Sequence, residues 1–203
     1  MISTKVLYER LAFLYDLDDV MCMGAKQHWR KKIIKDLKTR SNSTLDIATG
    51  TGRMAKILCS NLKNGQIIGV DLSKNMLRIA KIRNRNQKNL SLIQCNAEQL
   101  PFRDEIFDTV TCTYGMDTFC HPETVFSEAV RVLKCGGRMG LIYFAKIRTK
   151  NLLKYLEPSI KKFYKLVWHA KDIDMLSIMR KYSLKKIRSY DLLFTEALIV
   201  EKL

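Results

Sequence analysis

A chain of 203 residues, 47 % apolar and 28 % charged, has the size and balance of one ordinary soluble domain. No stretch approaches the roughly 18 uncharged apolar residues of a membrane-crossing helix, and Lys5, Glu9 and Arg10 argue against a secretory leader. The formal charge of +16 fits an anionic partner (nucleic acid, an acidic lipid surface or an acidic substrate) or a generally lysine-rich solvated surface.

The predicted elements begin with two helices in residues 1–40. Val6, Leu7, Leu11, Leu14 and Tyr15 mark one 3.6-residue face, and Trp29, Ile33, Ile34 and Leu37 mark another. The acidic loop Tyr15-Asp16-Leu17-Asp18-Asp19 between them supplies carboxylates that either face a cationic ligand group or cap helices. Next comes Thr44-Leu45-Asp46-Ile47-Ala48-Thr49-Gly50-Thr51-Gly52-Arg53-Met54-Ala55: the end of a buried strand, a glycine turn and a helix start. In a doubly wound sheet that junction holds a nucleotide-like ligand, laid on backbone that has no Cβ in the way and facing the N–H groups of the helix start. The second strand, Gln66–Val70, ends at Asp71, nineteen residues after Gly52. An acid at that distance is placed to take two ribose hydroxyls. The turn lacks the full dinucleotide glycine pattern, so a nucleoside with a small charged tail fits as well as a pyrophosphate.

Ser73 is a predicted N-cap for a helix over 74–86, followed by a third strand over Leu90–Cys95 and the segment Asn96–Phe102. The fourth strand, Phe107–Tyr114, stops at Gly115. A helix over Pro122–Lys134 starts on a favourably placed proline and is expected to end with a left-handed glycine at Gly136-Gly137. The fifth strand is Arg138–Phe144. Strands alternating with helices of this length give crossover units and a parallel sheet. A last helix, Ile173–Tyr182, precedes strands Lys185–Leu192 and Glu196–Glu201, which are too close for a crossover and predict an antiparallel hairpin at the sheet edge. The expectation is a single α/β domain over 1–203: a doubly wound, seven-stranded, mostly parallel sheet with that C-terminal edge hairpin.

Residues 146–171 interrupt the alternation. Leu152, Leu156, Ile160, Phe163 and Val167 recur at helical spacing, with Trp168 at one end, while eight Lys/Arg face one acid, Glu157. This segment is expected to cover the substrate side. Its cationic face then either meets an anionic membrane surface peripherally or is simply solvated. The six cysteines (22, 59, 95, 112, 120 and 135) form no C-x-x-C pair and have no histidine at ligand spacing. They read as reduced cytoplasmic thiols, with no metal site expected.

Taken together, Leu45–Gly52, Gly69-Val70-Asp71-Leu72-Ser73-x-x-Met76-Leu77, Asn96-Ala97-Glu98-x-Leu100-Pro101-Phe102, Phe107-Asp108 and Arg131-Val132-Leu133-Lys134-x-Gly136-Gly137 resemble a class I S-adenosylmethionine-dependent methyltransferase. Within that superfamily the chain is most similar to the ubiquinone/menaquinone biosynthesis C-methyltransferases. Tyr15-Asp16 and Gly24-x-x-x-His28-Trp29 also resemble that family's opening motifs. The resemblance implies a Rossmann-like methyltransferase fold, S-adenosyl-L-methionine as cofactor with S-adenosyl-L-homocysteine as product, and a small, isoprenoid-quinone-like acceptor.

It implies site residues too. Asp46 and the turn Ala48, Thr49, Gly50 and Gly52 would hold the methionine end, and Asp71 the ribose. Leu72 and Met76 would flank the adenine, Asn96 and Ala97 its edge, with Tyr114 at the strand-four exit. Residues 1–40 would form a lid in which Tyr15 closes over the cofactor. Carbon methylation of a phenol-like ring needs its hydroxyl deprotonated, and the candidate bases are Asp117, His121 and, from the lid, Asp16. Where the family usually shows Phe-Gly-x-Arg-Asn, this chain has Tyr114-Gly115-Met116-Asp117-Thr118, and Cys135 replaces a proline.

Two rivals remain at this level. One is an RNA methyltransferase, favoured by the charge, with Cys112 as a conceivable nucleophile. However, Thr113-Tyr114-Gly115-Met116 is not the Pro-Pro-aromatic turn expected for base amines. The other is a non-catalytic S-adenosylmethionine-binding protein.

Overall fold

The computed structural model describes residues 25–37, 42–62, 64–144, 162, 173–191 and 195–203. The expected first helix, Tyr15, Asp16 and, apart from Lys162, the basic segment 146–171 lie outside the described residues.

Helix α1 (Ala25–Leu37) leads into strand β1 (Ser43–Ile47), helix α2 (Arg53–Asn61), β2 (Gln66–Asp71), α3 (Lys74–Arg83), β3 (Leu90–Gln94) and β4 (Phe107–Thr113). Then follow α4 (Pro122–Val132), β5 (Leu133–Phe144), the short helix α5 (Met175–Met179), β6 (Leu184–Asp191) and β7 (Thr195–Lys202). The seven strands form one sheet in the order β3-β2-β1-β4-β5-β7-β6. The first five pair in parallel, and β7 runs antiparallel between β5 and β6. The expected doubly wound sheet and C-terminal hairpin are present.

Both faces of the sheet are covered, which is why its central strands read as nearly continuous apolar runs. On one face Ile33, Ile34 and Leu37 of α1 and Met54, Ile57 and Leu58 of α2 pack on Ile67, Ile142 and Ile199. On the other, Val125, Phe126 and Ala129 of α4 pack on Ile47, Val110, Leu141 and Leu198. Strand β7 shows the rule within four residues: Ala197 and Ile199 serve one cluster, Leu198 and Val200 the other.

Several boundaries differ from expectation. Helix α3 ends at Arg83 and not at Asn86, α5 covers only Met175–Met179 of the expected Ile173–Tyr182, and β5 starts at Leu133 and not at Arg138. Helix α4 ends at Val132, not Lys134, because Leu133 is already extended (φ −79°, ψ 130°) and pairs with Phe107. Gly136 is left-handed as foreseen (φ 72°), but it sits inside β5, where the register against β4 shifts, and does not cap the helix. Arg131 ties this region to the loop after β3. Its guanidinium donates to the Glu128 carboxylate at 2.7 and 2.8 Å, to Asp104 at 2.7 Å and to the Leu100 and Phe102 carbonyls. Glu128 in turn accepts from the Leu100 N–H at 2.7 Å. That lattice fixes the segment that carries Asn96–Glu98.

Candidate active site

The strand order reverses between β1 and β4, and a crevice opens beyond the carboxyl ends of strands at such a switch point. Here it is a cleft of about 330 Å³. Ala48 and Gly50 line it from the β1 turn, Asp71, Leu72, Ser73 and Met76 from the β2 exit, and Cys95–Glu98 from the β3 exit. Tyr114, Gly115 and Thr118–His121 close the β4 side.

The turn after β1 alternates left-handed residues: Ala48 (φ 52°), Gly50 (φ 56°) and Gly52 (φ 76°). Asp71 pins it. One carboxylate oxygen accepts the Gly50 N–H at 2.8 Å, and the other accepts the Ser73 N–H at 2.9 Å. These bonds orient Asp71 at the cleft wall. Among the described residues, a Cβ on Gly50 would meet only the Ala48 carbonyl, at 3.9 Å, which fits a backbone that a ligand can approach. Helix α2 is N-capped by Gly52, which offers no side chain to the first-turn N–H groups, and it carries no acid in its first turn; its N-terminal dipole favours an anionic tail. Leu72 is 41 % exposed and Met76 is buried, so together they present an apolar wall beside Asp71. These features fit an adenosine with a charged tail: a ribose acceptor, an apolar slot and an open backbone turn.

Gly52 serves packing. A Cβ there would lie 2.4 Å from Asn84 Nδ2 and 2.9 Å from the Ala80 Cβ, and Asn84 Nδ2 donates to the Gly52 carbonyl at 3.1 Å. Gly52→Ala should therefore lose about 2–5 kcal/mol of stability through left-handed strain and overpacking. Urea denaturation reads this as a lower midpoint with an unchanged slope.

Asp46, Thr49 and Gly52 lie behind the turn and do not line the cleft. Asp46 is buried and accepts the Thr49 and Thr111 hydroxyls, each at 2.7 Å. Burial raises its pKa to about 6 against those hydrogen bonds and the charge of Arg30. Asp117, in a 3-10 turn over Met116–Thr118, is equally buried and also lies off the cleft wall. Burial raises its pKa to about 6, opposed by its own N–H, by the Phe144 N–H and by the charge of Lys26. Its Oδ1 has no hydrogen-bond partner among the described residues.

Tyr114, at the exit of β4, is left-handed at φ 60°. Its ring has the Lys26 ammonium 5.2 Å and the Arg30 guanidinium 5.0 Å from its centroid. Lys26 and Arg30 are four apart on α1, so one helix face delivers both cations. The sequence reading missed this pair, although its spacing was visible. It also passed over Glu98, Phe119, Cys95 and Cys120 as wall residues. His121 lines the cleft, and its N–H reaches Glu98 Oε1 at 3.3 Å. Cys112 is 1 % exposed, and burial pushes its thiol well above the usual range, which disfavours a nucleophilic thiolate.

The two raised carboxylates carry a stability signature. Between the ordinary value of 3.8 and about 6, the folded chain holds protons that the unfolded chain has released, so stability falls as pH rises through that window. Urea unfolding should show each group contributing about 1 kcal/mol more at pH 5 than at pH 7. The gain should vanish in the D46N/D117N double variant.

The ubiE/COQ5 methyltransferase family model matches residues 3–183. Demethylmenaquinone methyltransferase of Lactobacillus johnsonii is 36 % identical over 142 residues, 67 % of this chain and 58 % of that one. Ubiquinone/menaquinone biosynthesis C-methyltransferase UbiE of Francisella tularensis subsp. novicida is 34 % identical over 191 residues, 91 % of this chain and 75 % of that one. The matched region thus spans less than two thirds of the first relative and three quarters of the second. A crystal structure of a SAM-dependent methyltransferase from Thermotoga maritima shares the fold, with a TM-score of 0.74 at 21 % identity over 97 % of this chain and 99 % of that one. A family match over most of the chain, relatives a third identical and a shared fold lead to one assignment: the chain belongs to the ubiE/COQ5 methyltransferase family.

Proposed function

We propose that this protein is an S-adenosylmethionine-dependent methyltransferase that methylates a ring carbon of a small, isoprenoid-quinone-like acceptor. The observation that carries the cofactor assignment is Asp71, held by the Gly50 and Ser73 N–H groups on the wall of the switch-point cleft. Membership of the family, and relatives named for quinone-precursor methylation, support the acceptor class.

In this reading Asp71 takes the ribose hydroxyls, Leu72 and Met76 sandwich the adenine, and Asn96 and Ala97 meet its edge. Ala48, Gly50 and the α2 start hold the amino-acid tail. Asp46 and Thr49 act from behind by holding the turn, and Gly52 by packing it on α3. S-adenosylmethionine supplies an electrophilic methyl group on a sulfonium. The protein aligns the acceptor carbon with that methyl and excludes water. Asp117 is the proposed base for the ring hydroxyl: one of its carboxylate oxygens has no hydrogen-bond partner among the described residues, and a pKa of about 6 makes it an ionised acceptor at neutral pH. Lys26, beside Tyr114 and Asp117, stabilises the phenolate that forms. His121 on the wall and Asp16 in the N-terminal segment are the alternative bases, and Tyr15 is proposed to close over the cofactor. Residues 146–171 are proposed to roof the acceptor and touch an anionic membrane peripherally. The protein is then a cytoplasmic one that collects a lipid-tailed acceptor.

The test incubates the purified protein with labelled S-adenosylmethionine and a demethylated prenyl hydroquinone. The expected product is one methyl heavier, with the label on ring carbon. Transfer to RNA but not to the quinol would favour the nucleic-acid reading. Cofactor binding with no transfer to either would leave a non-catalytic binder.

A further inference from the structure

Three residues of the turn after β1 are left-handed: Ala48 (φ 52°), Gly50 (φ 56°) and Gly52 (φ 76°). Backbone in that region persists where its surroundings over-determine it. On the cleft side Asp71 takes the Gly50 N–H. On the far side the bonds come from the carboxyl end of α3. There the Arg83 guanidinium donates to the Thr51 carbonyl at 2.5 Å, and Asn84 Nδ2 donates to the Gly52 carbonyl at 3.1 Å. Helix α3 therefore meets the turn at both of its ends, since the Ser73 N–H at its start shares Asp71 with Gly50.

The Asn84 side chain is explained neither by capping nor by packing. It is 5 % exposed, and its Nδ2 also donates to the Ala80 carbonyl at 2.9 Å, so both amide protons have an acceptor. The Ala80 carbonyl already accepts the main-chain N–H of Asn84 at 3.0 Å, so ending α3 does not require the amide. Its Oδ1 is buried and has no hydrogen-bond partner among the described residues, a penalty that an apolar side chain of similar size avoids. Turning the amide over gives no relief, because Oδ1 would then face the Gly52 and Ala80 carbonyls. What the amide alone supplies is its grip on Gly52. The glycine leaves room for it, since a Cβ there would lie 2.4 Å from the same Nδ2.

We propose that Asn84 is a positioning residue for the amino-acid tail of the cofactor: through the Gly52 carbonyl it fixes the rear of the turn, so that the Gly50 backbone and the start of α2 stay aimed into the cleft. The proposal rests on the reading of that cleft as the S-adenosylmethionine site. Asn84 does not line the cleft, so it acts through the backbone. Its effect is therefore confined to one half of the ligand. The adenosine half meets Asp71, Leu72, Met76, Asn96 and Ala97, none of which hydrogen-bonds to Asn84. The tail meets the turn and the α2 start.

The test titrates two ligands into the whole protein by calorimetry. S-adenosylhomocysteine carries the amino-acid tail, and 5′-methylthioadenosine keeps the nucleoside and thioether without it. The variants are N84L, close to the amide in size but without polar atoms, and the smaller N84A. Both should bind S-adenosylhomocysteine roughly three- to tenfold more weakly, the worth of one hydrogen bond, and 5′-methylthioadenosine as the parent does. In N84L the urea midpoint should hold or rise, because the unpaired Oδ1 is gone while the Gly52 carbonyl keeps the Lys56 N–H at 3.0 Å. A merely structural role would instead lower the midpoint and weaken both ligands together. Equal weakening of the two ligands, no weakening of either, or loss of the fold in both variants overturns the proposal and leaves the cofactor reading in place. A parent that binds neither ligand overturns the cofactor reading itself, and the proposal with it.

Discussion

Asp71→Ala should bind S-adenosylmethionine at least roughly a hundredfold more weakly than the parent. Two hydrogen bonds from ribose hydroxyls to a carboxylate are each worth about 1.5–3 kcal/mol, and every 1.4 kcal/mol is about tenfold in affinity. The loss goes further than the ribose. The Gly50 and Ser73 N–H groups lose their shared acceptor, which leaves the bonds from Asn84 and Arg83 to the Gly52 and Thr51 carbonyls to hold the glycine turn against α3. Asp71→Asn keeps one acceptor oxygen and should fall between the two, which separates the role of charge from that of turn geometry. Calorimetric titration with the cofactor checks this, and full affinity in a folded Asp71→Ala would remove the ribose role.

Asp117→Asn should lower turnover on the quinol acceptor by roughly 10²–10⁴-fold, the usual contribution of a positioned general base. Cofactor affinity should change little, because Asp117 does not line the cofactor cleft. In the parent, turnover should rise as pH passes about 6 and then level off, as the carboxylate ionises. In the variant that step should be gone. A step that survives in Asp117→Asn and disappears in His121→Ala would move the base to the cleft wall.

The fold was legible because its signals are local. Ser73 caps α3 by accepting the Met76 N–H, as a serine before a periodic helix should, and the apolar runs of β1, β2 and β4 announce strands buried on both faces. The glycine turn and Asp71 were legible through their spacing. What stayed hidden depends on tertiary distance. Asp46 reads as a ligand residue in sequence, and only the hydroxyl of Thr111, sixty-five residues away, shows that it turns inward. Lys26 and Arg30 look like solvated helix charges until Tyr114, just past the end of β4, comes beneath them. Gly136 carried a correct left-handed signal but the wrong context, since Phe107 draws Leu133 into the sheet before the helix can reach it.

The placement of β7 between β5 and β6 also sets an order in time. β1 through β4 pair in parallel through successive crossovers, so that half of the sheet can assemble from neighbouring units. β5 has no second neighbour until Thr195–Lys202 arrives, more than fifty residues later in the chain. Closing so long a loop is slow relative to local helix and strand formation. Until it happens, one edge of β5, with Leu141, Ile142 and Tyr143, stays open to whatever other strand is nearby. Lys202 completes the closure: its ammonium reaches the Val130 and Leu133 carbonyls at 3.0 and 2.8 Å, where α4 passes into β5. Nascent or partly unfolded protein should therefore be most exposed to mispairing at β5, and recovery after denaturation should be paced by the arrival of β7.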